Sequence, residues 1–263
     1  MTSLALPSRR ADYAMLTALS AALTLLFCLG ALTDPRTLDG VVVWEKPLHF
    51  ALSFILFFGT LALVVPRLSP GWRTGWLLRA TTLAITASFL FELGYVALQA
   101  AAMQRSHFNV GDPFHALMYA LMGVGAGVLV AGVAMIGGIV AQDAGFAAGP
   151  RTRQGITWGF VVTLPLTLIV AGTMSSHGSH WIGTLHSGGA TVQLMGWSLT
   201  VGDLRPAHFL SIHGMQALPL LGLWLDRRDS GNRRILWAAA VLWSAVCLAL
   251  FAQALAGLPL IAL

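Results

Sequence analysis

Charge is what this sequence has least of. Lysine occurs once, cysteine twice, and Asp, Glu, Lys and Arg together make up 10% of the 263 residues, against 57% apolar. So small a charged share excludes a soluble globular domain and puts the chain among polytopic membrane proteins. The single lysine, Lys46, opens an apolar run instead of sitting mid-span in the last one, which excludes a retinal Schiff base. Cys28 and Cys247 both fall inside apolar runs and no C-x-x-C occurs, so a disulfide carrier or thiolate metal site is excluded and both cysteines read as small apolar fillers. There is no glycine-rich phosphate loop, no G-x-S-x-G elbow, no low-complexity tail and no evident internal repeat.

What the chain has is long apolar runs. A hydrocarbon core of about 30 Å takes about 20 apolar residues per helix. Seven runs meet that need: Tyr13 to Leu32, Leu48 to Val65, Ala80 to Met103, Phe114 to Val140, Gly155 to Thr173, Ala207 to Leu225, and Ile235 to Leu263. The expectation is an all-α, polytopic seven-transmembrane-helix bundle forming one integral membrane domain over residues 1–263. Little chain is left for a soluble catalytic domain, so any chemistry belongs to the bundle or its loops. The first run follows Arg9 and Arg10, but it is too long for a signal peptide and lacks a small-residue cleavage site, so it reads as retained.

Arginine decides orientation. Arg9, Arg10, Arg67, Arg73, Arg79, Arg151, Arg153, Arg227, Arg228, Arg233 and Arg234 share one side of this topology, against Arg36, Lys46, Arg105 and Arg205 on the other. The positive-inside rule then puts the N-terminus in the cytoplasm and the C-terminus outside, in the inner (plasma) membrane, with the lipid bilayer as partner and no nucleic acid. The calculated pI near 10 reflects this orientation and the anionic headgroups.

The long outer connection, Met174 to Pro206 between the fifth and sixth spans, reads as a folded lid. It contains SSHGSHWIGTLHS, with His177, His180 and His186. All eight histidines fall in the outer half of the topology: His49, His107, His115, these three, His208 and His213. Polar residues within the spans point the same way. Glu92, Tyr95, Gln99 and Met103 form one helical stripe climbing toward His107; Lys46, His49 and Ser53 form another, and His213 pairs with Gln216. An ionisable group such as Glu92 within a span marks a functional cavity by default. Gly123, Gly125, Gly127, Gly132 and Gly137 in the fourth span suit close helix packing or a flat surface for a planar cofactor.

Imidazole ligates metals and haem iron, so a bound metal ion or haem with redox chemistry, exchanging electrons with a quinone, is the first reading. His107, His180 and His213 are assigned as ligands and His208 as a ligand or its support, since residues five apart lie about 140° apart on a helix. His49 and His115 are alternative axial ligands, with Lys46, Arg105 or Arg205 toward propionates and Gln216 lining the cofactor. Glu92 and Gln99 form a proton or hydrogen-bond path, and Asp203 with Arg205 anchors the lid or a ligand carboxylate. A stack of two haems is disfavoured because the inner half has no histidine. A proton-coupled transporter or a pH or metal sensor is the alternative. A zinc hydrolase with Glu92, Asp112 or Asp203 as general base is the third. The seven-span ceramidase and adiponectin-receptor type closes its site with H-x-x-x-H, whereas HFLSIH here is H-x-x-x-x-H.

The strings KPLHFALS (Lys46 to Ser53), SHFN (Ser106 to Asn109), HWIG, and GWSLTVGDLRPAHFLSIHGMQALPL (Gly196 to Leu220) resemble a family of uncharacterised bacterial multi-span membrane proteins. The resemblance covers Lys46 to Leu220 and carries no activity with it. Its strings include Lys46, His107, Asn109, His180, Asp203, Arg205, His208, His213 and Gln216. They often have lysine where this chain has His49, which moves the expected ligand set toward His107, His180, His208 and His213.

Overall fold

A computed structural model of the chain describes residues 9–184, 189–192, 195–228 and 234–261. Its helices are α1 (Arg9–Thr33), α2 (Glu45–Val64), the short α3 (Pro70–Thr74), α4 (Trp76–Ala101), α5 (Pro113–Gln142), α6 (Pro150–His177), α7 (Arg205–Arg227) and α8 (Arg234–Leu255). Six of them, α1, α2, α4, α5, α6 and α8, are long and apolar enough to cross a membrane. In lipid a backbone must satisfy its own hydrogen bonds, which is why such runs are helical. The remaining long helix, α7, has 23 residues but carries Arg205, His208, Ser211, His213, Gln216 and Asp226 along its length.

The helix ends differ from those read off the runs, for a local reason. Past α4, Met103 takes a left-handed φ of 55° while the Met103 and Gln104 amides bond back to Ala100 (3.0 Å) and Gln99 (2.8 Å). This is a Schellman closure, so Met103 leaves the stripe that Glu92 begins. α8 closes the same way at Gly257 (φ 77°) and stops at Leu255, short of the Leu263 expected. α6 continues until Gly178 (φ 70°) caps it, so His177 belongs to its last turn and not to the lid. At the other end of α5, Asp112 Oδ1 accepts the Phe114 and His115 amides, both at 3.0 Å, as an N-cap ahead of Pro113.

The chain forms two compact units: Met1–Gly132 with Gln142–Ala147, and Val133–Ala141 with Ala148–Leu263. In the first, Phe89 packs edge to face on both Phe54 and Phe58, 4.8 Å from each ring, and the Tyr13 hydroxyl meets Thr82 Oγ1 at 3.0 Å. In the second, α6 and α7 meet backbone to backbone. A Cβ on Gly159 would lie 2.6 Å from the Gly214 carbonyl oxygen, and Gly155 and Gly222 are pressed as tightly on Leu218 and Arg151. Gly155 and Gly159 are a G-x-x-x-G pair, the spacing that lets membrane helices approach this closely. Asp226, near the end of α7, caps the start of α6 by accepting the Arg151 (3.0 Å) and Thr152 (2.7 Å) amides.

Each unit also holds a helix, a small antiparallel hairpin and a second helix. In the first unit β1 (Thr37–Leu38) pairs with β2 (Val41–Val42) between α1 and α2; in the second, β3 (Trp181–Ile182) pairs with β4 (Gly202–Asp203) between α6 and α7. The closing bond is the same: the residue after the second strand donates to the carbonyl before the first, Val43 to Arg36 (3.1 Å) and Leu204 to His180 (2.9 Å). The helices that follow open on Lys46-Pro47-Leu48-His49-Phe50 and Arg205-Pro206-Ala207-His208-Phe209. In chain order, residues 183–201 separate β3 from β4, where Asp39 and Gly40 alone separate β1 from β2.

Candidate functional site

The strongest concentration of buried polarity lies in the first unit, on α4. Glu92, Tyr95 and Gln99 are 3%, 6% and 6% exposed, one face of the helix over two turns. Glu92 fits only because α5 has a glycine opposite: a Cβ on Gly125 would lie 2.6 Å from Glu92 Oε1. Gly125 and Gly132, the latter pressed on Ile85 of α4, therefore serve close packing, whereas Gly123 and Gly127 have open space around them. Glu92 Oε1 and the Tyr95 hydroxyl are both buried without a hydrogen-bond partner. Gln99 donates to the Arg105 carbonyl at 3.2 Å.

Around this stripe stand residues of α2, α5 and the loop between α4 and α5. Tyr95, Val96 and Met122 form a buried cluster with Phe50, Phe91 and Met118 packed on it. Lys46 stands one turn before Phe50 at the start of α2. The His107 ring lies edge-on to Phe50 at 5.6 Å and 6.0 Å from Tyr119, and its Nδ1 is 3.1 Å from the Ser106 hydroxyl. His49 is half-buried on α2. His115 is held at the start of α5, Nδ1 on Asp112 and Nε2 2.8 Å from Gln104 Oε1, so both its ring nitrogens serve the loop.

Ion pairs brace the hairpin beside this cluster. Arg105 grips Asp39 through two bonds of 2.7 Å, and its guanidinium holds the Asp39 carboxyl below its usual range. Arg36 grips Asp34 and reaches the Ala101 carbonyl at the end of α4 (3.1 Å). Arg36, and then the Trp44 indole, depress the Asp34 carboxyl. Asp112 is depressed first by the His115 backbone amide.

The second unit holds the other assigned residues. Asp203, 4% exposed, is saturated: it receives the Arg205 guanidinium side-on (2.9 and 2.6 Å) and the backbone amides of Ser198 (2.8 Å) and Arg205 (3.0 Å). Arg205 also donates to the Gly196 carbonyl at 2.7 Å. Asp203 and Arg205 are the staple that fastens the lid to the start of α7. The His180 ring lies 3.9 Å from that of Trp181. His213 stacks on Phe209 at 3.9 Å and turns its Nδ1 back to the Phe209 carbonyl (2.7 Å), which fixes the proton there and leaves Nε2 as the available acceptor. His208 Nδ1 is buried without a partner, and Gln216 follows one turn after His213.

The expected ligands divide between the two units, His49, His107 and His115 in the first and His180, His208 and His213 in the second, and among the described residues no three of His, Cys, Asp or Glu group closely enough to hold a metal ion. His115 has both ring nitrogens engaged, by Asp112 and Gln104, His107 is packed among aromatics, and His213 is bonded to Phe209 through Nδ1 alone. His186 lies outside the described residues. Sequence reasoning also missed the tryptophans at the hairpin bases, Trp44 and Trp181; the recurrence of Lys/Arg-Pro-x-His-Phe marks the helix that follows each hairpin but not Trp181. No family model, curated protein or solved structure matches the chain.

Proposed function

We propose that this protein is a proton-coupled membrane carrier in which Glu92 binds and releases the coupling proton. The observation that carries this reading is a carboxyl side chain, 3% exposed, within an apolar helix, with Oε1 lacking a hydrogen-bond partner among the described residues. A carboxylate at such a depth is costly unless it serves an ion or proton path. Tyr95 and Gln99 extend a polar face from Glu92 toward the loop of His107.

In this reading α7 is a seventh span. It follows a hairpin as α2 does, opens on the same residue pattern, and is long enough at 23 residues to span. The arginine distribution then supports a cytoplasmic N-terminus, an outer C-terminus and residence in the inner membrane, with Lys46, His107 and the lid toward the outside.

The test is reaction with dicyclohexylcarbodiimide, a hydrophobic reagent that modifies protonated carboxyl groups within membranes. Peptide mapping of the treated protein in liposomes should find the adduct on Glu92, with less of it as pH rises. An unmodified Glu92 under conditions that label other carboxyls contradicts the proposal.

A further inference from the structure

The two hairpins carry the same parts on exchanged strands. At the base of the first, an Asp-x-Arg pair precedes β1 (Asp34, Arg36) and a tryptophan follows β2 (Trp44). At the base of the second, the tryptophan is in β3 (Trp181) and the Asp-x-Arg pair runs from β4 into α7 (Asp203, Arg205). In the first, the Trp44 indole N–H donates to Asp34 Oδ2 at 2.8 Å, the same oxygen that Arg36 holds at 2.7 Å. An indole N–H and a guanidinium thus share one carboxylate.

The second hairpin has the two donors but no carboxylate left for the indole. Trp181 stands directly across from Asp203 in register, and the Arg205 guanidinium lies 5.6 Å from its ring centroid. Asp203 is already filled by Arg205 and by the Ser198 and Arg205 amides. Trp181 Nε1 is buried and has no partner. Arg205 spends Nε and Nη2 on Asp203 and Gly196, and Nη1 enters none of these bonds. His208 Nδ1, also buried without a partner, is carried one turn into α7 from Leu204, whose own amide is tied to the His180 carbonyl beside Trp181.

An indole N–H can only donate, so what is missing at Trp181 is an acceptor. A buried donor without one costs free energy, so the orphaned indole calls for an acceptor from outside the hairpin. The first hairpin shows which acceptor this geometry suits. We infer that the base of the lid is a binding site for a small organic carboxylate, held by Trp181 Nε1–H and Arg205 Nη1 with His208 beside it. The guanidinium, with its five N–H donors, can serve Asp203 and the ligand together. The inference stands apart from the role given to Glu92 and survives if that role fails.

The experiment is calorimetric titration of the purified full-length protein in detergent with acetate, succinate and glutamate, at fixed pH and ionic strength, with chloride and inorganic phosphate as comparison anions. The expected result is saturable binding of at least one carboxylate, weakened about tenfold or more in Trp181→Phe, which keeps the ring beside Arg205 and removes only the donor. His208→Ala is the second variant and should also weaken binding, so the test holds if Trp181→Phe does not fold. Absence of saturable carboxylate binding overturns the inference. So does equal affinity in both variants, or binding of phosphate or chloride as tight as that of the carboxylates.

Discussion

Glu92 and Gly125 are complementary across the α4–α5 contact: the carboxyl oxygen of one occupies the space that a side chain on the other would fill, 2.6 Å from a Cβ built there. That contact ties a polar group to a glycine that helix propensity alone would disfavour. Gly125→Ala should therefore destabilise the protein by about 1–3 kcal/mol through overpacking. Gly127→Ala, at a glycine with open space around it, should leave stability unchanged or raise it by up to about 1 kcal/mol. Thermal unfolding in detergent checks both. Equal effects of the two substitutions would show that the Glu92 contact is not what Gly125 serves.

Acid should loosen the first hairpin and the start of α5, and only at low pH. Asp34, Asp39 and Asp112 are each held below the usual carboxylate range in the folded protein. A group depressed on folding contributes stability that is fully present above its unfolded pKa of about 4 and is lost as pH falls through the lower folded value. Amide exchange at Val43, Phe114 and His115, corrected for the intrinsic rate, should be level from about pH 7 to pH 5 and rise well below about pH 4. A rise beginning near neutral pH would contradict the assignment to these carboxyls.

If α7 spans the membrane, its two ends face opposite sides. In a background with Cys28 and Cys247 replaced by alanine, Ser179→Cys should react with an impermeant maleimide on intact spheroplasts, and Arg228→Cys only after permeabilisation. Labelling of both from outside would remove α7 from the count of spans.

The parts legible in the sequence were those set by local periodicity. Glu92, Tyr95 and Gln99 lie on one buried face because their spacing follows the helical repeat, and six of the seven expected runs are helices fit to span. Helix ends were less legible, since Met103 takes a left-handed closure that favours glycine and no sequence signal announces it. The lid's organisation was hidden for a different reason: Trp181 pairs with Asp203 across a long excursion of chain, a contact that no local pattern encodes. The local partners of the histidines were not legible either: His115 is held by Asp112 and Gln104, and His213 turns Nδ1 back to the carbonyl one helical turn before it.

The central claim is that Glu92 takes up and releases a proton inside the membrane, and infrared difference spectroscopy reads that directly. Spectra of the lipid-reconstituted protein in acidic minus alkaline buffer should contain the carbonyl stretch of a protonated carboxylic acid that disappears in Glu92→Gln. Superimposable difference spectra for the native protein and Glu92→Gln would show that Glu92 does not titrate, and would end the carrier reading.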